Sequence, residues 1–520
     1  FQSSLLLLQE RVPKAVAFYT SPSDIISPPR ETTSEEMQVR IFNSPDTTIP
    51  EVQLLSNGRY HVMLTNAGGG YSRWGDLAIT RFRADTTRDD YGIFCYVSDV
   101  ETGAFWSTAY QPTRKQPQHY EAIFSEGRVE YRRRDDNVDM HTQIVVSPED
   151  DVEIRRTVMT NLSRKTRILD VTSYAEVVMA PAAADRLHPA FSNLFVQTEI
   201  DSARRTVLCT RRPRSEGEKN PWMLHAMAVH GKDAEQVSYE TDRLRFIGRT
   251  KTLNHPQVME SPSDLFGTLS DSQGSVLDPI AAIRSRITLE PEQSAVIDLI
   301  FGIGQTREEA VSLADKYQDR RIVDRVFSMA WTQSHVLLRQ INASESDVQL
   351  YNQIASSLIY PNDSMRAEPG VMMENRRGQS GLWGYSVSGD LPIVLLKISD
   401  QSQIELARQL VQAYVYWRLK GLNVDLFIWN EEHAGYRQLL HDQIMSIVSS
   451  GFVTDLKDQP GGIFVRAIEQ IAEEDRILIQ TVAHVIIAGN RGKLINQIRH
   501  RTGLKVMVPR LIPSRTNRPQ

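Results

Sequence analysis

The sequence reads as a multidomain chain, β first and α second, with a large antiparallel β-sandwich over residues 51–304 and a helical domain over residues 305–510. Two observations predict this. From about residue 54 to 301, short runs alternate apolar and polar side chains, and turn residues separate them at roughly ten-residue intervals, the pattern of strands with one buried face. After Phe301 the apolar spacing changes to three and four, the pattern of helices with one buried stripe. A chain of 520 residues is long enough for two or three separate cores.

Residues 1–50 come first and read as a helix remnant and a linker. Leu5–Leu8 is a short apolar run, followed by Ser21-Pro22 and Ser27-Pro28-Pro29, which favour extended chain. The run has neither a basic leader nor a small-residue cleavage site, so it does not read as a signal peptide. This end and the polar stretch Pro513–Gln520 both read as cut points in a longer polypeptide. Strands follow, with Val152–Arg155 and Ile283–Leu289 as clear alternating runs. Ser56-Asn57-Gly58, Ser125-Glu126-Gly127 and Ser147–Asp150 supply turns. So much β-sequence exceeds one small barrel and fits two packed sheets, the last strand being Val296–Phe301. Thr306, followed by Glu308 and Glu309, has the hydroxyl and acidic residues of a helix start. Ile404, Ala407, Val411 and Tyr414 share a helical face, and Gly421 after Lys420 resembles a C-cap. Ile393–Ile398 reads as an apolar helix opened by the loop Asn375–Pro392.

Composition excludes several classes. The net charge is −5 and the isoelectric point near 6.2, which gives no footprint for nucleic acid or an anionic membrane surface. Arg132-Arg133-Arg134 is followed at once by Asp135-Asp136 and reads as a solvated turn. No stretch of 18 apolar residues occurs, so no direct membrane insertion is expected. Two cysteines, Cys95 and Cys209, cannot build a disulfide framework or a cysteine zinc site, and the scattered histidines read as structural. Neither metal nor cofactor is expected. Phe301-Gly302-Ile303-Gly304 lacks the third glycine of a dinucleotide fingerprint, because Arg307 holds that position, and reads as a strand-to-helix turn.

Two segments carry chemistry. In Leu55–Trp74, three glycines (Gly68, Gly69, Gly70) precede Tyr71, Arg73 and Trp74. Flat apolar rings with a polar rim suit stacking against a sugar, while a glycine corner with core aromatics explains the same residues without a ligand. In Asn375–Pro392, Trp383, Tyr385 and Asp390 stand together. Asp390 is the candidate catalytic carboxylate, and capping of the following helix is its competing duty.

These segments, with Asp85–Gly92, Val158–Ser163, Thr172–Glu176, Ala180–Phe191, Tyr416–Leu426 and Pro460–Phe464, resemble the cellobiose phosphorylase family. More closely, they resemble the phosphorylase-like region of cyclic β-1,2-glucan synthases. The resemblance implies a bacterial inner-membrane parent that makes β-1,2-glucan from UDP-glucose, closes it into a ring and trims it by phosphorolysis. This chain is then the first of two phosphorylase-like units, on the cytoplasmic side, with β-1,2-glucan or an oligosaccharide and the neighbouring modules as partners. It also implies that the helical half is a partial (α/α)-barrel-like domain, about 200 residues long and short of six helix pairs.

The sequence departs from the family where catalysis is concerned. Working phosphorylases open the barrel with an Arg-Asp pair before a second Asp, and Ser386-Val387-Ser388-Gly389-Asp390 retains only the later one. The family's acid-bearing Asp-Trp-Asn-Asp loop is missing, its nearest echo being Ile428-Trp429-Asn430-Glu431-Glu432, with Asp425, Glu431 and Glu432 as reserve carboxylates. The expectation is therefore a carbohydrate-binding scaffold without catalysis of its own. The alternatives are an active inverting phosphorylase and a structural spacer.

Overall fold

The computed structural model describes residues 39–231, 235–260, 268–432, 439–449 and 456–499. The Leu5–Leu8 run, the linker before residue 39 and the polar tail lie outside the described residues. Among the described residues eighteen antiparallel strands form two sheets. The first runs in the order β1 (Arg40–Phe42), β8 (His119–Ser125), β9 (Arg128–Asp135), β10 (Val138–Val146), β11 (Val152–Asn161), β18 (Ser294–Gly304), β15 (Trp222–His230), β14 (Thr206–Arg211), β13 (Val196–Asp201). The second runs β16 (Val237–Asp242), β17 (Pro279–Leu289), β12 (Arg167–Pro181), β5 (Leu77–Thr80), β4 (Gly70–Trp74), β3 (Tyr60–Thr65), β2 (Val52–Ser56). In it β6 (Ile93–Asp99) pairs with β12, and β7 (Phe105–Ser107) with β6.

Alternation sets the core between the sheets, where Val62, Leu64, Trp106, Phe124, Tyr131 and Ile283 meet. The turn between β9 and β10 is only Asp136–Asn137, both with positive φ, the left-handed pair of a two-residue hairpin. The arginine run before it is therefore not a solvated turn. Arg133 is wholly buried on β9, where its guanidinium donates to Asp135 and to the carbonyls of Ala109 and Lys115. Alternate strand positions face opposite ways, so one arginine of the run enters the core and meets a carboxylate there.

Short helices α1 (Ala182–Leu187), α2 (Pro189–Asn193) and α3 (Arg243–Ile247) decorate one end of the second sheet. The period change falls where the sequence placed it. Strand β18 ends at Gly304, and α4 (Arg307–Tyr317) begins under Thr306, whose hydroxyl accepts from the Glu309 amide. Gly304 is glycine because a Cβ there would lie 2.7 Å from the Ala310 nitrogen. Helices α4 and α5 (Arg320–Gln340) then cover the outer face of the first sheet with Ala310, Ala314, Val323 and Val326. Arg156 on β11 grips Asp298 on β18 with two hydrogen bonds (2.7 and 2.9 Å) and also holds Asp324 of α5. Burial opposes the charge of Asp298, but Arg156 and His230 outweigh it and hold its carboxyl below the usual range.

The second half holds helices as expected, α6 (Glu345–Ile359), α7 (Pro369–Glu374), α8 (Ser380–Trp383), α9 (Ile404–Leu419), α10 (Leu439–Val448), α11 (Glu473–Val482) and α12 (Leu494–Arg499). It is not wholly helical, however. Among the described residues four parallel strands lie between them: β19 (Ile393–Ile398), β20 (Asp425–Asn430), β21 (Ile463–Ala467) and β22 (Val485–Ala488), in the order β21-β20-β19-β22. Ile393–Ile398 is thus a strand, which corrects the helical reading, and the helices pack on a sheet rather than in a ring of helix pairs. Val394 and Leu396 face α6, α9, α10 and α12, while Ile393 and Leu395 face α7, α8 and α11. A strand buried on both faces is apolar throughout and carries no period-two signal.

Strand order reverses between β19 and β22, the place where such sheets usually take ligands. Here the crevice is filled by Gln403, whose Oε1 accepts from the Ser399 amide at 2.9 Å and would lie 1.9 Å from a Cβ at Gly489. Among the described residues no helix is long and apolar enough to cross a membrane.

The sandwich and the second half meet along β2, an edge strand. Its outward amides donate to α6 side chains, Val52 N to Ser356 Oγ (2.9 Å) and Leu54 N to Asn352 Oδ1 (3.4 Å). Asn352→Leu keeps the volume but leaves the Leu54 amide buried without an acceptor. A loss of about 1–3 kcal/mol is expected in denaturant unfolding.

Candidate functional site

Three of the segments singled out in the sequence converge at the amino edge of the parallel sheet. Asp390 stands exposed just before β19, where Gln379 Nε2 donates to its Oδ1 (3.1 Å) and its own amide donates to Ser388 Oγ (3.1 Å). A strand follows it, so the helix-capping duty falls away. Asp425 opens β20, pairs in register with Ile393, and is fully buried. Its Oδ1 accepts from the Gly461 amide at 2.7 Å, whereas Oδ2 is buried with no hydrogen-bond partner among the described residues. Burial pushes this carboxyl up to about 6; the nearby charge of Asp390 adds to the push and the Gly461 amide works against it. The Gly461 carbonyl in turn accepts from the Tyr414 hydroxyl and from Arg418 Nη1. The arrangement holds one acid able to exchange a proton near neutrality, enclosed in protein, and one carboxylate in water. Glu431 and Glu432 lie beyond the opposite, carboxyl edge of β20, where Glu432 accepts from the Leu440 amide of α10. Trp429, part of the echo of the acid-bearing loop, is a buried residue inside β20.

The predicted sugar-binding aromatics divide. Tyr71 is buried, edge-on to Phe82 at 5.2 Å, beneath the helices of the second half, so it presents no face to a sugar. Arg73 lies 5.9 Å from the Tyr71 ring centre, and its Nε is buried without a hydrogen-bond partner among the described residues. Trp74 is half-buried and donates its indole N–H to Asp151 Oδ2 at 2.8 Å. The three glycines are there for backbone approach, since a Cβ at Gly69 would lie 2.3 Å from the Asp89 carbonyl oxygen and one at Gly70 1.9 Å from that of Met63. Trp383 is different: it is 64% exposed on α8, in the same loop as Asp390. Tyr385 is half-buried, and its hydroxyl donates to Asp475 Oδ2 at 3.0 Å.

A second concave region, which no single stretch of sequence marks, lies at the end of the second sheet. It is a cleft of about 150 Å³ lined by Arg81, Arg88, Asp90, Tyr91, Glu176, Arg243 and Leu253. Arg81 pairs with Glu176 (2.7 Å) and with Asp185 of α1 (3.2 Å). Arg243 of α3 pairs with Glu176 (2.9 Å) and Asp278 (3.3 Å), and Arg88 with Asp90 Oδ2 (3.0 Å). Asp90 is 6% exposed, and its Oδ1 is buried with no hydrogen-bond partner among the described residues. Sequence reasoning assigned no chemistry here because the residues come from five separate places in the chain. The nearest signals were the segments Asp85–Gly92 and Thr172–Glu176, which carried resemblance alone.

Among the described residues no group of three or more His, Cys, Asp or Glu is placed to hold a metal ion. Both thiols are buried, and burial pushes each up to about 12, so neither serves as a nucleophile.

Residues 35–320, more than half of the chain, match the family model of the glycosyl hydrolase 94 supersandwich domain. The chain belongs to the glycosyl hydrolase 94 family. It is 29% identical over 515 residues to the cyclic β-(1,2)-glucan synthase NdvB of Rhizobium meliloti (strain 1021), covering 97% of this chain and 18% of that protein. It is 24% identical over 293 residues to the N,N'-diacetylchitobiose phosphorylase of Vibrio furnissii, covering 55% of this chain and 35% of that one. The chain therefore spans about a fifth of the synthase and about a third of the phosphorylase. Among solved structures, a bacterial glucoamylase complexed with acarbose aligns at a TM-score of 0.36 and 10% identity, covering 62% of this chain and 44% of that one. The glycosyl hydrolase 94 match ends near Arg320, so the parallel sheet and the Asp390–Asp425 pair lie outside it, whereas the NdvB match covers nearly the whole chain.

A carboxyl raised above its unfolded value near 3.9 holds an extra proton in the folded state, so its contribution to stability is full below that pH and is lost as pH rises through about 6. Asp425→Asn is expected to raise the thermal midpoint above pH 6 and to change it little at pH 4. With Asp425 retained, Asp390→Asn is expected to lower the Asp425 titration midpoint seen by carboxyl NMR.

Proposed function

We propose that this chain is a carbohydrate-binding and scaffolding module of a cyclic β-1,2-glucan synthase, without catalysis of its own. Its place is beside the other modules of that polypeptide, on the cytoplasmic side of a bacterial inner membrane. Membership in a carbohydrate-active family and similarity to NdvB over 97% of the chain support the parent and the glucan. The observation that carries the non-catalytic reading is the separation of the two carboxylates by burial. An inverting phosphorylase needs an acid on the leaving oxygen and a cationic pocket for phosphate. Asp425 has the proton affinity of such an acid but is sealed under the Gly461 turn, and Asp390 is open but sits in water. The Arg418 guanidinium beside them is engaged with the Gly461 carbonyl. Trp383 is the predicted aromatic whose face is free for a sugar ring.

The competing reading, an active phosphorylase that trims β-1,2-glucan, draws on the raised pKa of Asp425 next to Asp390. Incubation of the chain with linear β-1,2-glucan and phosphate separates the two. Glucan binding in calorimetry without release of glucose 1-phosphate is expected. Turnover above background that Asp425→Asn or Asp390→Asn abolishes, with folding intact, would establish the phosphorylase instead.

A further inference from the structure

We propose that the cleft at the end of the second sheet, between β5, β12, α3 and the segment entering β6, binds one pyranose ring of a neutral glucan, with the Asp90 carboxylate accepting a sugar hydroxyl. This rests on the carbohydrate-binding reading above and adds where the sugar sits.

Size comes first. About 150 Å³ is well below the roughly 300–1,000 Å³ of pockets that enclose drug-sized ligands, and suits a single ring with the rest of the chain outside. Charge comes second. The guanidiniums of Arg81, Arg83, Arg88 and Arg243 face the carboxylates of Asp90, Glu176, Asp185 and Asp278, four against four, and each arginine is already paired. An anion meets carboxylates there and a cation meets guanidiniums, so neither gains net compensation. A neutral ligand with many hydroxyls can donate to the carboxylates and accept from the guanidiniums without disturbing that balance.

The unmatched atom decides the polarity of the contact. Asp90 is more than nine-tenths buried, lines the cleft, and leaves Oδ1 without a donor. Buried acceptors are normally satisfied, so a donor is missing, and a sugar hydroxyl is the neutral donor that fits. Arg88, with a side chain that is 61% exposed, donates to Asp90 Oδ2 at 3.0 Å, which leaves Oδ1 for an incoming hydroxyl. Tyr91, adjacent in sequence, contributes a ring to the wall. The site is built from both faces of the polar ledger: donors on Arg88 and Arg243, an acceptor on Asp90, and a flat apolar surface.

The test is calorimetric titration of the full 520-residue chain with a linear β-1,2-gluco-oligosaccharide. The unsubstituted chain, Asp90→Asn, Arg88→Met and Trp383→Ala are compared, with circular dichroism and thermal midpoint as folding checks. At least a tenfold weaker affinity for folded Asp90→Asn is expected. If Asp90→Asn does not fold, the same loss in Arg88→Met, an exposed position, carries the result. Unchanged affinity in folded Asp90→Asn overturns the cleft; if Trp383→Ala then abolishes binding, the sugar sits in the Asp390 loop and the carbohydrate-binding reading stands. No binding by the unsubstituted chain overturns both.

Discussion

Among the described residues strand β2 has a neighbouring strand on one side only, and its open side would be a row of buried, unpaired amides if nothing met it. Helix α6 meets it with side chains instead of backbone. Ser356 and Asn352, one helical turn apart, accept from the Val52 and Leu54 amides, and Arg40 donates to the Val52 carbonyl while its Nε bonds Gln349. The same cluster extends outward. Asn352 donates to the Tyr416 hydroxyl, Tyr416 donates to Glu126 in the β8–β9 turn, and Lys420 pairs with Glu126 at 2.7 Å with both groups buried. Both sheets, α6 and α9 are thus joined through one polar network whose members lose their partners together if the halves separate.

That network has consequences for the sites. It seats α6 across β2, β3 and β4, which closes Tyr71 under the helices and removes it from any ligand surface. The opposite side of α6 packs on the core beneath β19 and β22, so the parallel sheet is fixed relative to the sandwich, and its amino-edge loops, including Asp390, are placed by the same docking. The cleft around Asp90 stands apart from this seam. Its arginines and carboxylates come from sheet two and the short helices at its end, and they hold one another without help from the second half.

Buried charge is handled in two ways. Asp298 is matched on both oxygens by Arg156 and also faces His230, the arrangement in which pairing outweighs the desolvation cost. Asp425 and Asp90 are each left with one bare oxygen. At Asp425 the result is a raised pKa in a closed place; at Asp90 it is an unused acceptor on the wall of a cleft. The first resembles acid catalysis in its energetics without the access catalysis needs, and the second has a cleft without reactive chemistry.

The sequence alone determined the sandwich, the switch to helix at Thr306 and the resemblance to a phosphorylase-like region, because half-buried strands and one-sided helices print their period directly in the order of residues. It could not reveal β19–β22, since strands covered on both faces are uniformly apolar and read as helix or as nothing. It named Asp390 and Asp425 in separate motifs, but not that both come to the amino edge of one parallel sheet. It offered Tyr71 and Trp383 as equals, whereas docking of α6 buries the first and leaves the second in solvent. The Asp90 cleft was beyond it altogether, because Arg81, Asp90, Glu176, Arg243 and Asp278 share no spacing along the chain. Local period depends on near neighbours and survives in one dimension; burial, pKa and the meeting of distant charges depend on packing, and only the folded chain decides them.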